Sequence, residues 1–159
     1  MNPPLKAFLD MIAWSEGTSR NPLTKDGGYD VIVSGPNGPE IFADFSDHPF
    51  AMGRPAKMVR PGLTSTAAGR YQLLLKWWRA YQPMLHLGDF SPASQDAVAI
   101  QQIKERGALL DIENGKIEMA IALCSNIWAS LPGNQYGQPK HEVSELVQQY
   151  NSSLGGTNA

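Results

Sequence analysis

Cysteine, net charge and long apolar runs are all scarce in this chain. Cys124 is the only cysteine among 159 residues, so no intrachain disulfide can form. A chain built without sulfur bridges suits folding in a reducing compartment, and Cys124 itself reads as a small buried helix residue. Lysine and arginine total 13 against 15 aspartates and glutamates, a formal net charge of -2. That balance gives no electrostatic reason to expect nucleic acid or an anionic membrane as the main partner; a neutral or mixed substrate fits it better. No stretch approaches the length of a membrane-crossing helix. Residues 1–6 are not a basic region leading into an apolar run, so no signal peptide is expected. His48, His86 and His141 lack ligand spacing, and neither an HExxH motif nor a cysteine cluster exists, so neither a metal nor another cofactor is expected. The composition, 42% hydrophobic and 18% charged, is that of a globular protein, and the length suits a single domain over residues 1–159.

The patterning predicts mostly helices with a small β region. Leu5, Phe8, Leu9 and Ile12 follow helical spacing and predict a first helix over residues 5–17. A Gly/Asn/Pro-rich segment follows to Gly28. Residues 29–33 and 40–45 read as paired strands around the turn-forming Ser34-Gly35-Pro36-Asn37-Gly38-Pro39, a hairpin with a loop longer than the tightest types. Residues 46–63 hold three prolines and two glycines and read as one irregular loop. Thr64 or Ser65 is the expected cap of a helix running through Tyr71-Gln72 to Tyr81 and stopping near Pro83. Ser91-Pro92 signals the start of another helix that ends before Gly107. A short turn or helix at 108–112, a long helix at 116–131 and a last one at 142–154 complete the order. The expected class is α+β: a small hairpin lobe beside a larger helical lobe, with a cleft between them suited to an extended polymer.

Glu16 is the residue on which this pattern bears hardest. It falls four residues after Ile12, which puts a carboxylate on the apolar stripe, and Gly17 is placed to end the helix there. Burial and the negative end of the helix dipole both disfavour its ionised form and push its pKa upward. A carboxyl held protonated near neutral pH can donate a proton to a leaving group. Asp30, Asp44 and Asp47 are the available second carboxylates. Asp30 sits on the strand expected to line the cleft, and each of the three reads equally as a strand residue, turn former or cap.

Long runs in the chain are recognisable. Ala13-Trp14-Ser15-Glu16-Gly17-Thr18, Gly28-Tyr29-Asp30-Val31-Ile32-Val33, Ala68-Gly69-Arg70-Tyr71-Gln72-Leu73-Leu74, Asp89-Phe90-Ser91-Pro92, Gln101-Gln102-Ile103-Lys104-Glu105-Arg106-Gly107 and Cys124-Ser125-Asn126-Ile127-Trp128-Ala129-Ser130-Leu131-Pro132-Gly133 lie in order along it. Together they resemble the phage lambda endolysin family of lysozyme-fold lytic transglycosylases, over nearly the whole length. The departures are the hairpin turn, the 50–61 loop and the two ends.

The resemblance implies a lysozyme-like fold and cleavage of peptidoglycan between N-acetylmuramic acid and N-acetylglucosamine, with Glu16 as the catalytic residue. It implies a 1,6-anhydromuramoyl product, since the attacking hydroxyl belongs to the substrate and one carboxyl can serve as acid and then base. From the residues alone, a hydrolytic lysozyme with two carboxylates and a non-catalytic glycan-binding module stay open. Gly69-Arg70-Tyr71-Gln72 is similar to the helix start that faces the catalytic glutamate in related transglycosylases, which makes Tyr71 and Gln72 substrate-binding candidates. Ser130, Tyr136 and Gln138 flank a Gly/Pro-rich loop that is a candidate lip of the cleft, and His48 is a candidate at its border. Trp14, Trp77, Trp78 and Trp128 lie in helical patterns and are assigned to core packing, with one of the adjacent pair Trp77 and Trp78 facing outward. The implied partner is the peptidoglycan glycan strand, and a holin-type partner is implied for release from the host cytoplasm to the wall. The protein is expected to be a monomer.

Overall fold

The computed structural model describes residues 1–134 and 141–157. The elements run α1 (Pro3–Glu16), β1 (Val31–Gly35), β2 (Gly38–Ile41), a single 3-10 turn (Pro49–Ala51), β3 (Lys57–Arg60), β4 (Leu63–Ser65), α2 (Leu75–Met84), α3 (Pro92–Glu105), α4 (Leu109–Glu113), α5 (Ile117–Cys124) and α6 (Val143–Thr157). They fall into two compact units, Met1–Glu16 with Ala99–Ala159, and Gly17–Val98.

The first unit is helical. α1 packs on α4 and α6, and α5 on α4 and α6. Its core is built from Phe8, Leu9, Met11, Ile12, Ile103, Ile112, Ile121, Leu131 and Leu146, all fully buried. α1 shows why the helical period is so legible: its apolar residues are covered, while Lys6 is exposed and pairs one turn on with Asp10 at 3.0 Å. Asp10 also accepts from the Ser153 hydroxyl of α6, so one carboxylate ties the first helix to the last. Cys124 is buried at the end of α5, where loss of water pushes its thiol up to about 12.

α5 is shorter than the helix expected over 116–131. The Ser125 hydroxyl donates back to the Ala122 carbonyl at 2.9 Å, and the chain tightens into turns in which Ile127 N–H reaches Cys124 and Leu131 N–H reaches Trp128. The Asn134 side-chain amide then donates to the carbonyls of Ser125, Ala129 and Leu131. Those carbonyls find partners without a continuing helix.

The second unit carries two antiparallel hairpins and α2. β1 pairs with β2 from Val31 opposite Ile41 to Gly35 opposite Gly38, with a bulge between Ile32 and Gly35. The hairpin loop is therefore only Pro36-Asn37, shorter than the turn-rich sequence suggested. β3 and β4 form a second hairpin inside the segment expected to be irregular. Its turn is Pro61-Gly62, with Gly62 at a φ of 79°, the arrangement of a type II turn. Glu40 on β2 joins Lys57 of β3 at 2.8 Å and Arg54 just before it, which fastens one hairpin to the other.

The helix expected to start at Thr64 or Ser65 starts instead at Leu75. Leu63, Thr64 and Ser65 are taken up by β4, and Ala68 bridges Ile32 on one side and Leu73 on the other. This unit's core gathers Ile32, Phe42, Phe50, Leu73, Trp78, Tyr81 and Phe90. The Trp78 ring meets Phe90 edge-on at 5.0 Å, and its indole N–H donates to Asp47 at 2.8 Å. Trp77, one position away on α2, is 47% exposed. Trp128 is buried, and Trp14 is half-buried, with the His141 ring centroid 4.6 Å from its own. α3 begins at the Ser91-Pro92 signal, with the Ser91 hydroxyl accepting from Ser94 N–H at 3.3 Å.

Candidate active site

Glu16 is the last residue of α1, and Gly17 follows with a φ of 80°, the left-handed conformation that ends a helix. The helix is amphipathic up to this point, so the face that packs Ile12 into the core carries the next polar residues inward as well. Ser15 is buried and Glu16 only partly exposed. Loss of water around the carboxyl raises its pKa from 4.5 to about 7, and a hydrogen bond from the Ser130 hydroxyl works against that rise. Ser130 is buried on the segment after α5, and its carbonyl accepts from His141 N–H at 3.1 Å. Ser15 Oγ donates to Ser130 Oγ at 2.7 Å. The structure thus brings Ser130 onto Glu16 itself and adds Ser15, a residue the sequence reading passed over. Its signal was there: a serine three residues after Ile12 and four after Met11 lies on the buried face.

Asp30, His48, Tyr71 and Gln72 lie in the unit Gly17–Val98. Asp30 is buried; its two carboxylate oxygens accept from the Thr24 hydroxyl and from Lys25 N–H at 3.0 Å, and Thr24 in turn accepts from Gly28 N–H. This carboxylate holds the loop that leads into β1.

His48 is fully buried. Its Nε2–H donates to the Leu73 carbonyl at 2.8 Å, and its Nδ1 accepts from Phe50 N–H at 3.2 Å, where it caps the 3-10 turn. Desolvation pushes its pKa down, so the ring is held neutral with the proton on Nε2.

Tyr71 and Gln72 do not lie inside a helix as the sequence suggested. They occupy the turn between Ala68 and Leu73. Gly69 has a φ of 84°, and a Cβ there would sit 2.4 Å from the Gln95 amide oxygen. Gln72 itself has a φ of 51°, a strained setting for a side-chain-bearing residue. Its amide donates back to Gly69 O at 2.9 Å. The Tyr71 hydroxyl donates to Asp96 at 2.6 Å, beside Tyr29 at 2.8 Å on the same oxygen, and the Arg70 guanidinium donates to Tyr71 and lies over both rings. Burial drives the Tyr71 hydroxyl well above its ordinary pKa. Gln95, also missed by the sequence reading, is buried and clamps this turn: its oxygen accepts from Arg70 N–H at 2.8 Å and its amide donates to the Tyr29 and Phe90 carbonyls.

Tyr136 and Gln138 lie outside the described residues. Asp44 is exposed and accepts from Ser46, which lowers its pKa, while Asp47 accepts from His48 N–H and the Trp78 indole. Among the described residues no three His, Cys, Asp or Glu side chains gather as a metal site would need.

A lone desolvated carboxyl with a hydroxyl partner is the arrangement of a proton donor. The Endolysin family profile matches residues 6–157. The chain belongs to the Endolysin family. It is 60% identical to the endolysin of Escherichia phage P2 over 153 residues, covering 95% of this chain and 93% of that one. It is 56% identical to the endolysin of Escherichia phage lambda over 158 residues, covering 99% and 94%. The solved structure of bacteriophage lambda lysozyme complexed with a chitohexasaccharide superposes with a TM-score of 0.89 at 55% identity, covering 96% of this chain and 95% of that one. A second structure of the lambda lysozyme gives 0.84 at 52% identity. The fold is therefore α+β and lysozyme-like, and this endolysin is an enzyme of bacterial cell-wall degradation.

Proposed function

We propose that this endolysin is a lytic transglycosylase that cuts the β-1,4 bond between N-acetylmuramic acid and N-acetylglucosamine, with Glu16 as its single acid and base. The observation that carries the reading is the Glu16 carboxyl, raised to about 7 by desolvation and, among the described residues, touched by the Ser130 hydroxyl. Near neutral pH such a group is present in both protonation states, which is what a residue that first gives and then takes a proton requires. Glu16 protonates the glycosidic oxygen as the C1–O bond breaks. The muramoyl C6 hydroxyl then attacks C1 and passes its proton to the Glu16 carboxylate, which leaves a 1,6-anhydromuramoyl end and the acid restored. A hydrolytic glycosidase would need a second carboxylate for water or for direct attack. Asp30, the leading candidate for that role, is committed to Thr24 and Lys25.

The same reading gives the remaining candidates supporting tasks. Gln72 is held by its amide nitrogen, leaving the amide oxygen to accept from a sugar N-acetyl group. Tyr71 and His48 shape the surrounding turns, and Tyr136 and Gln138 are proposed as further contacts to the glycan. Residues 1–159 act as one lysozyme-like domain, a monomer whose substrate is the peptidoglycan strand. No described helix is long and apolar enough to cross a membrane, and we take passage from host cytoplasm to wall to depend on a holin-type partner.

Product masses test the reaction. Digested peptidoglycan should give ends one water lighter than reducing ends; a majority of reducing ends would make the enzyme a hydrolase. Glu16→Gln should lower wall-clearing activity by about 10²–10⁴-fold, measured as turbidity loss of purified sacculi.

A further inference from the structure

Ser15 is a buried polar side chain that the proposed reaction does not use. It shares the inward face of α1 with Met11 and Ile12, both fully buried, where a small apolar residue would avoid the cost of burying a hydroxyl. The hydroxyl is satisfied by one bond, 2.7 Å to Ser130 Oγ. Each serine hydroxyl has a single proton. With Ser15 donating to Ser130, one acceptor position of the Ser130 oxygen is filled and its own proton is left for the Glu16 carboxyl. Burial and Ser130 are the two causes that act on that carboxyl, and no charged side chain is among them. Among the described residues, the orientation of one hydroxyl is therefore the attractive influence on the charged form of Glu16.

We propose that Ser15 is a positioning residue for catalysis: by donating to Ser130 Oγ it fixes the Ser130 rotor and commits that proton to Glu16. The chain is strongest when Glu16 is ionised, because a hydroxyl that accepts one bond donates a stronger one to a carboxylate. It acts in the interval between the two proton transfers, when the carboxylate must stay aimed until a proton returns. Ser15 is buried, and its effect passes through Ser130. The inference rests on Glu16 being the acid and base of the proposed reaction.

The test follows the Glu16 carboxyl by ¹³C NMR titration, which needs no turnover, alongside the pH profile of wall clearing. Ser15→Ala should move the Glu16 midpoint upward by about half a pH unit, and Ser130→Ala should move it further. The double variant should match Ser130→Ala alone, because nothing is left for Ser15 to act through. Ser15→Cys fills the same space with a weak donor and should shift the midpoint as alanine does, while Ser15→Thr, which keeps a hydroxyl, should hold it near wild type. In the activity profile the limb governed by Glu16 should move in parallel, with kcat falling and KM unchanged. An unmoved midpoint in both Ser15→Ala and Ser15→Cys overturns the relay. So does a shift in the double variant that adds to that of Ser130→Ala. Full activity of Glu16→Gln would instead overturn the reaction the relay serves, an outcome read in a different protein and a different assay.

Discussion

Glu16 carries a cost that can be measured apart from its chemistry. Its pKa is higher in the folded chain, about 7, than the 4.5 of a free glutamate. Between those values the folded protein binds more protons than the unfolded one, so stability falls as pH rises through that window. Below pH 4.5 the carboxyl is neutral in both states and costs nothing on this account. Above pH 7 it is ionised in a desolvated place, at a cost of at most about 3 kcal/mol. Glu16→Gln removes the charge and should therefore stabilise the protein at pH 8, by about 1–3 kcal/mol, while leaving stability at pH 4.5 nearly unchanged. Urea denaturation at the two pH values checks both halves. A variant less stable than wild type at pH 8 would mean that the carboxylate is well solvated.

At the scale of elements, the turn from Ala67 to Leu73 joins the β1 strand, the His48 cap and the Gln95 clamp in one place. Val33 N–H reaches Ala67 O, Gly69 N–H reaches Val31 O, and Leu73 N–H reaches Ala68 O. Gly69 is the residue that permits this, since its φ of 84° and the closeness of Gln95 both exclude a side chain. Gly69→Ala should cost about 2–4 kcal/mol, read as a lower urea midpoint. The same turn marks where the sequence stopped being legible. Helices with a period and a punctuation mark were readable: α1 with Gly17, α3 with Ser91-Pro92, and α6. The 64–74 stretch was read as a helix capped by Thr64 or Ser65, but the bridges of Ala68 to Ile32 and to Leu73 and a left-handed Gln72 outweigh that preference. β3 and β4 were missed because their seven residues are mostly exposed and lack a buried face to reveal a two-residue period. At the site, the carboxyl was legible from its place on a stripe. Ser15 could have been read from the same buried face, but the contact of Ser130, named only as a candidate at the cleft lip, could not, because Ser130 comes from 114 residues away and periodicity carries no distance of that kind.

At the scale of the molecule, two separately packed cores share one covalent thread without a crosslink. Cys124, buried in the helical unit, is the sole thiol. It should react with a bulky aromatic disulfide only when the fold opens, so its modification rate should be slow in buffer and climb with urea in step with unfolding. Reducing agent should leave the melting temperature unchanged. Fast labelling in native buffer would show that the helical unit opens on its own. This hidden, mateless sulfur has a consequence for timing. On the proposed route from host cytoplasm to wall, passage from a reducing into an oxidising space forms no disulfide within the chain, so no such bond times its activity.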